Sequence, residues 1–404
     1  MLIPNEVIHI INTLNYNGYE TFIVGGCTRD LILNKVPKDW DITTSANPDT
    51  IISLFDKTIP TGIKHGTITV ILNNKSFEVT TYRCNERYTN HRKPDSVSFS
   101  SSLKEDLTRR DFTMNAIAYS EKTGFVDLFD GISDIQNKII KCIGNSDERF
   151  CEDALRMLRA IRFSSTLGFS IEEKTFCSIC KNSALINSIS GERISQELQK
   201  IIMGEYSDQF ILLYETQLLQ NLFPFVKNHK DIIIDALKKM SASDYDLELR
   251  LCILICFVIH KLQSKQYLEQ IFDRLKFSKK IKKLVCTMYQ YYDYNFSDYN
   301  LDTKILLNKI GKQNFIKLLE FYKHVNSREI YDKILNVYND ITKNNHPIFI
   351  SDLKISGNNL INIGIKNIEV GNTLKYLLNH CFKHPNDNKK EILIKLAKEY
   401  QAQR

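Results

Sequence analysis

The sequence has no apolar run long enough to cross a membrane, since a transmembrane helix needs about 20 predominantly apolar residues. Its first residues, MLIPNEVIHIINTL, also lack the basic segment that opens a secretory signal. The composition, 43% hydrophobic and 25% charged, is that of an ordinary globular protein. We therefore expect a soluble, cytoplasmic protein that has no membrane partner.

The ten cysteines include one Cys-x-x-Cys, Cys177 and Cys180, but no second pair that would complete a zinc site. Buried, reduced thiols are the simpler interpretation, and they fit the cytosol. Internal repeats and low-complexity linkers are also missing. At 404 residues the chain is long enough for two to four domains.

Positive charge is concentrated at the C-terminal end. Residues 301–404 contain 17 Lys and Arg against 10 Asp and Glu, and this excess of seven equals the whole formal charge of +7. The pattern is typical either of a solvated lysine-rich face or of a surface that binds a polyanion such as RNA.

The most informative stretch is Gly25 to Thr44, GGCTRDLILNKVPKDWDITT. We predict a strand before it, then a helix that carries Arg29, then a strand that carries Asp39 and Asp41. Residues i and i+2 of a strand share a face, so the two carboxylates would lie side by side as ligands for divalent cations, usually Mg²⁺. Gly25 and Gly26 would let the backbone approach a triphosphate at the helix start. A solvated strand end is the alternative.

Two further strands are predicted at 66–72 and 76–82, joined by a hairpin at Asn73-Asn74. Glu78 on the second strand is either a third carboxylate facing the aspartate pair or a solvated strand residue. The polar residues 84–98 are interpreted as a mobile loop. From Leu103 onward helical periodicity dominates.

The string RRDFTMNA begins at Arg109. If the two arginines open a helix, Arg110 is placed to bind triphosphate or ribose. The alternative is a charged helix cap.

The third motif is Glu152-Asp153-x-x-Arg156, at the start of a predicted helix 152–163. Cytosine and adenine both present an exocyclic amine beside an unprotonated ring nitrogen. Asp153 can accept from the amine and Arg156 can donate to the nitrogen, whereas uracil and guanine present the reverse order. Arg159 and Arg162 would extend the cationic surface toward the triphosphate. A surface ion pair is the alternative.

In this order the motifs resemble those of the nucleotidyltransferase family that contains tRNA CCA-adding enzymes and bacterial poly(A) polymerases. GERISQEL at 191–198 resembles a further motif of that family, and ISGNNLINIGI at 355–365 resembles its tRNA-gripping tail, with Asn359 where Asp is usual. The resemblance implies an α+β fold: a polymerase-β-like nucleotidyltransferase head (1–140), followed by an all-α neck with the nucleotide-selecting helices (141–205), a helical body (206–300) and a helical, tRNA-binding tail (301–404).

Within that family, the string ERYTNHRKPD and the strand TGIKHGTITV resemble the CCA-adding enzymes. The implied function is template-independent addition of CCA to tRNA 3′ ends from CTP and ATP, with Mg²⁺ as cofactor, tRNA as partner and no obligate protein partner. Addition of the terminal A alone, poly(A) synthesis, and a catalytically silent tRNA-binding protein are the alternatives.

Overall fold

The computed structural model describes residues 3–84, 88–89, 93–94 and 98–402, the two internal pairs by their backbone only. The predicted loop at 84–98 therefore lies largely outside the described residues. Its ends are joined, because the Cys84 N–H donates to the Ser98 carbonyl over 3.0 Å. The chain forms two compact units, Met1–Leu237 with Glu269–Phe277, and Lys238–Leu268 with Ser278–Arg404. The four-part division into head, neck, body and tail stays a prediction.

Seven of the described strands form one mixed sheet in the order β3-β4-β5-β2-β1-β8-β9. Within this sheet β2 and β5 are parallel, and all other neighbouring strands are antiparallel. The strands are β1 Thr21–Val24, β2 Asp41–Thr44, β3 Thr58–Gly62, β4 Thr67–Leu72, β5 Lys75–Thr81, β6 Tyr88–Thr89, β7 Lys93–Pro94, β8 Ile117–Ser120, β9 Gly124–Asp127, β10 Ile139–Ile140 and β11 Ser170–Ile171.

Helices make up most of the remaining described chain. They are α1 Asn5–Tyr16, α2 Gly26–Ile32, α3 Pro48–Leu54, α4 Leu103–Thr108, α5 Gly131–Gln136, α6 Ser146–Glu152, α7 Leu155–Leu167, α8 Glu173–Asn182, α9 Gly191–Ile202, α10 Ile211–Glu215, α11 Leu218–Leu222, α12 Lys230–Ser241, α13 Leu247–Lys261, α14 Gln266–Leu275, α15 Lys279–Gln290, α16 Tyr299–Ile310, α17 Lys312–Val325, α18 Arg328–Lys343, α19 Gly357–Asn362, α20 Asn367–Lys383 and α21 Lys390–Ala402.

Around β1, core clusters cover both faces of the sheet. On β1, Ile23 belongs to a cluster that α1 and α3 cover, while Phe22 and Val24 belong to a second cluster that contains Leu107 of α4. The alternation follows from the period of two in a strand. A sheet covered on both sides can fix the side chains at its strand ends.

The predicted hairpin is confirmed. Asn73 and Asn74 have φ of 51° and 59°, the left-handed conformation that a two-residue turn between antiparallel strands requires and that asparagine tolerates. Helices dominate from Leu103 onward, as predicted, but two strands of the sheet also lie there. β8 and β9 extend the sheet beyond β1, and their four-residue length leaves too short an alternation to detect in sequence.

Candidate active site

A cleft of about 600 Å³ lies in the first unit, where residues near the ends of sheet strands meet α7 and α9. It brings together nine of the ten predicted site residues, all except Glu78. The lining residues are Gly25, Gly26, Arg29, Asp39, Asp41, Arg109, Arg110, Asp111, Asn115, Asp153, Leu155, Arg156, Arg159, Arg162, Phe163 and Arg193.

Asp39 and Asp41 form the acidic end of the cleft. Only Asp41 lies in a strand, β2; Asp39 precedes it in a bend, so the predicted placement of both on one strand is wrong. Although Asp41 is exposed as a whole residue, its carboxyl lies among cleft atoms. This desolvation raises the pKa of Asp41; the charge of Asp39 raises it further, and the charge of Arg110 opposes the rise. A pair of carboxylate oxygens whose charges repel suits a divalent cation.

Gly25 lies directly beside this acidic end. A Cβ at this position would lie 3.3 Å from both Asp41 Oδ2 and Arg110 Nη1, and the Gly25 φ of +82° belongs to the left-handed region. Any other residue would be strained there and would intrude between the carboxylate and the guanidinium. Gly25 therefore has no room for a side chain, and the approach of its backbone to a triphosphate stays a prediction.

Glu78 lies directly opposite Asp41 in the parallel β2/β5 register. Its neighbours Phe77 and Val79 belong to the cluster on the other face, so Glu78 and Asp41 share a face of the sheet. Glu78 is exposed, and among the described residues it is not part of the cleft lining. Its role as a third carboxylate stays a prediction.

Arg109 and Arg110 follow the end of α4, so the expectation that they open a helix is wrong. Both pair with Asp106, which is fully buried, and Arg110 Nη2 lies 3.0 Å from Asp106 Oδ2. The buried carboxylate thereby holds the Arg110 guanidinium beside Asp41. Asp106 was not recognised in the sequence because its three- and four-residue spacing to the arginines looks like an ordinary helix pair.

A chain of polar contacts crosses the middle of the cleft. Arg29 Nη1 donates to Asn115 Oδ1 over 2.9 Å, Asn115 Nδ2 donates to Asp111 Oδ1 over 3.2 Å, and Arg159 Nε donates to Asp111 Oδ2 over 2.6 Å. Burial alone would raise the pKa of Asp111, but the charge of Arg159 and these hydrogen bonds lower it to about 2. Asp111 is therefore ionised at neutral pH and fixes Arg159.

The sequence predicted Asp153 and Arg156 in one helix, and this prediction is wrong. Asp153 has an extended backbone between α6 and α7, where it caps the end of α6. Its carboxylate accepts from Arg193 of α9, with Arg193 Nη2 2.8 Å from Asp153 Oδ2, and from the Leu155 N–H over 3.1 Å. The sequence did not predict Arg193 as the partner of Asp153, although Arg193 belongs to the motif GERISQEL at 191–198.

Arg156 is almost completely buried at the start of α7. Its Nη1 donates to Glu152 Oε2 over 2.8 Å and to the Arg149 carbonyl over 3.3 Å, and its Nη2 donates to the Arg109 carbonyl over 2.9 Å. These bonds use three of the five N–H groups of the guanidinium. Within the described part of the chain, no acceptor pairs with the Nε–H group or with the second Nη2–H group.

Two family models match this chain. The model described as "Poly A polymerase head domain" matches residues 21–141, and "Probable RNA and SrmB- binding site of polymerase A" matches residues 168–230. A CCA-adding enzyme of Bacillus cytotoxicus is 42% identical over 281 residues, 69% of each chain, and one of Bacillus cereus is 35% identical over 360 residues, 87% of each chain.

This chain belongs to the CCA-adding enzyme family. The family predicted from the motifs is thus confirmed. Nucleotidyltransferases of this family depend on divalent metal ions, as the aspartate pair predicts. Among the helices that the structure describes, none has both the length and the apolar character needed to span a bilayer.

Solved structures show the same fold. The Bacillus stearothermophilus CCA-adding enzyme in complex with CTP matches with a TM-score of 0.81 at 29% identity, covering 100% of this chain and 99% of that one. The Thermotoga maritima CCA-adding enzyme complexed with tRNA matches with a TM-score of 0.73 at 19% identity, covering 98% and 96%. The predicted polymerase-β-like head followed by a helical remainder is confirmed.

Proposed function

We propose that this protein adds CCA to the 3′ end of tRNA, using CTP and ATP and no nucleic-acid template. Family membership supports the reaction class, and the alignment extends over 87% of the Bacillus cereus CCA-adding enzyme. The observation that carries the proposal is the single cleft that joins Asp39 and Asp41 to Asp153, Arg156 and Arg193. Its lining combines the proposed metal ligands with the proposed base-reading residues.

Asp39 and Asp41 are the proposed ligands of Mg²⁺. Their hard oxygen donors and their mutual repulsion fit a small divalent cation. When bound, Mg²⁺ supplies charge stabilisation for the attacking 3′-oxygen and the departing pyrophosphate. The tRNA 3′-hydroxyl attacks the α-phosphorus in line, and the remaining residues of the cleft orient the nucleotide for that attack.

The basic side chains along the cleft would hold the triphosphate. Arg29, Arg159 and Arg162 converge in its middle, while Arg110 lies next to Asp41. Guanidinium groups suit phosphate because their N–H groups form paired, charge-assisted hydrogen bonds. Gly26 begins α2 beside them, so the backbone can approach closely.

Base selection would rest on Asp153 and Arg156. The contacts of Asp153 use three of its four lone pairs and leave one on Oδ2, which can accept from the exocyclic amine of cytosine or adenine. The Arg156 N–H groups that point to no protein acceptor among the described residues can donate to the adjacent ring nitrogen. In uracil and guanine the ring N–H would face the donating Arg156, and the carbonyl oxygen would face the Asp153 carboxylate. Both pairings leave polar groups without a hydrogen bond, which is costly in a closed pocket.

A direct test uses purified protein and three tRNA transcripts that end before CCA, after C, or after CC. Each is incubated with labelled CTP, ATP or both, and the products are sequenced. The proposal predicts that all three reach CCA. Extension of the CC transcript alone would indicate A-addition, long adenylate tails would indicate a poly(A) polymerase, and binding without extension would indicate a silent tRNA-binding protein.

A cytoplasmic location is part of the proposal. Each of the ten cysteines is a free thiol, as expected in a reducing compartment. Fractionation of cells that express the tagged chain tests it.

A further inference from the structure

Three guanidinium groups of the cleft surround one aromatic ring. The Cζ atoms of Arg162, Arg29 and Arg159 lie 4.2, 5.3 and 5.5 Å from the centroid of the Phe163 ring. All three distances are within the roughly 6 Å at which a cation is attracted to the negative face of a ring. Phe163 is thus a shared contact of arginines that come from two different helices, α2 and α7.

The three arginines repel one another in this arrangement. Burial lowers the pKa of Arg162 to about 10, and the charges of Arg159 and Arg29 contribute to the lowering. Each guanidinium also has an acceptor: Arg159 pairs with Asp111, Arg162 with Glu197 of α9, and Arg29 with Asn115 and Asp30. The acceptors differ from one arginine to the next, whereas all three guanidinium groups contact the Phe163 ring.

The Phe163 ring is itself held in place. It is only 6% exposed, and it packs edge-on against Phe112 with centroids 5.8 Å apart. Phe112 is fully buried and belongs to the RRDFTMNA string. A ring fixed from behind presents its π face at a constant position, which a flexible apolar side chain of equal volume cannot do.

We propose that Phe163 is a positioning residue that holds Arg29, Arg159 and Arg162 together, before nucleotide arrives, in the arrangement that receives the triphosphate. The proposal rests on the proposed function of the cleft. Without the ring, repulsion would favour conformations in which the arginines splay apart. Affinity falls in proportion to the fraction of molecules that have the competent arrangement.

The test replaces Phe163 with mono-, di- and trifluorinated phenylalanine, introduced by stop-codon suppression in the full-length chain. Fluorine withdraws density from the π face while leaving ring size and packing almost unchanged. The dissociation constants of CTP and of inorganic triphosphate are measured by calorimetry. We expect both to rise with each fluorine, by about tenfold in total for the trifluorinated ring.

The matched control is the same series at Phe210, a buried ring outside the cleft lining. It should leave both dissociation constants unchanged. Phe163→Leu should weaken binding at least as much as trifluorination. If Phe163→Tyr binds CTP and triphosphate more tightly than Phe163→Leu does, the result would further support a requirement for an aromatic ring.

Each other outcome identifies what is wrong. If wild-type protein binds neither CTP nor triphosphate, the proposed function fails. If wild-type protein binds both and the fluorinated series is flat, the positioning role fails although the function stands. If CTP affinity falls and triphosphate affinity does not, Phe163 contacts the nucleoside instead, which also overturns the proposal.

Discussion

Asp41 combines two roles at the scale of a single residue: its backbone begins β2, and its carboxyl interacts with the charges of Arg110 and Asp39 at one end of the cleft. Partial desolvation disfavours the ionised form most, Arg110 favours it, and repulsion from Asp39 disfavours it further. A bound cation would therefore stabilise the ionised carboxylate of Asp41. The charge of this side chain, more than its shape, should determine metal binding.

Replacing Asp41 with asparagine should lower the rate of nucleotide addition by at least about 100-fold, because stabilisation of the transition state is lost. The affinity for tRNA should stay nearly the same. Incorporation of labelled CTP and filter binding of tRNA measure the two effects. Asp49→Asn, an exposed change in the first turn of α3, is the control; substantial turnover by Asp41→Asn would contradict the metal assignment.

The raised pKa of Asp41 also predicts a pH dependence. As pH falls, Asp41 takes up its proton at a higher pH than an ordinary aspartate, and a protonated carboxyl is a poor metal ligand. Metal affinity should therefore decline earlier on the acid side than a normal aspartate pair would give. Calorimetric titration with Mg²⁺ or Mn²⁺ across the acid range measures it, and an affinity that stays constant until an ordinary aspartate titrates would contradict this prediction.

Arg193 is expected to position Asp153. Arg193→Gln should reduce the preference for CTP and ATP over UTP and GTP by about tenfold, because a mobile carboxylate no longer distinguishes the two donor patterns. Glu192→Gln, the exposed neighbour on α9, should keep the wild-type preference. Single-nucleotide incorporation with all four triphosphates gives the ratio; an unchanged preference in Arg193→Gln would mean that Asp153 needs no such support.

The sequence predicted which types of residue meet in the cleft but not what holds them. Asp153 and Arg156 were predicted to recognise the base because carboxylate and guanidinium complement an amine beside a ring nitrogen, and both line the cleft. Their partners, Arg193 and the Arg109 carbonyl, are 40 and 47 residues away in sequence. An interaction between distant segments leaves no periodic signal, and a backbone carbonyl leaves none at all.

At the scale of elements, the break between α6 and α7 decides how the proposed base-reading residues, Asp153 and Arg156, are presented. Asp153 has φ −142° and ψ 102°, an extended conformation that ends α6 and turns the chain into α7. The sequence 152–163 has good helical periodicity throughout, so the break was not predicted. Tertiary contacts override local propensity here, since Asp153 accepts from Arg193 and Arg156 donates to the Arg109 carbonyl.

The position of α9 depends on Gly191. A Cβ there would lie 2.0 Å from the Arg274 carbonyl oxygen at the end of α14, a backbone atom that cannot easily move. Gly191→Ala should therefore shift the start of α9 and destabilise the protein by about 1–3 kcal/mol. The shift would also loosen Arg193 from Asp153.

The matched control is Gly371→Ala in α20, where no described atom lies within 4 Å of the added Cβ. It should stabilise the protein by about 0.5–1 kcal/mol, because alanine loses less backbone entropy in a helix. Urea unfolding compares the two variants. A neutral or stabilising Gly191→Ala would show that α9 is free to move away from α14.

At the scale of the whole molecule, the segment after Leu301 shares a core with residues that precede it. The Tyr322 hydroxyl of α17 donates to the Tyr291 carbonyl over 2.5 Å, and both residues are buried. Lys304 is buried too, and its ammonium donates to the Phe382 carbonyl near the end of α20 over 2.8 Å. Deletion of residues 301–404 would therefore unfold the second unit. The role of their positive charge is instead tested by substitutions that remove charge only.

The positive excess of residues 301–404 is expected to bind the tRNA backbone. Lys375, Lys383, Lys390 and Lys398 are exposed on or beside α20 and α21. Replacing all four with glutamine should weaken tRNA binding and lower the slope of log affinity against log salt by about 0.7–0.9 for each phosphate that is no longer neutralised, because fewer counterions are released. Four exposed lysines of the first unit, Lys57, Lys122, Lys138 and Lys174, replaced in the same way, remove equal charge elsewhere and should change the slope less. Equal slopes in the two quadruple variants would show that the lysines of α20 and α21 form a solvated face, and that net charge rather than local binding of phosphate governs the salt dependence.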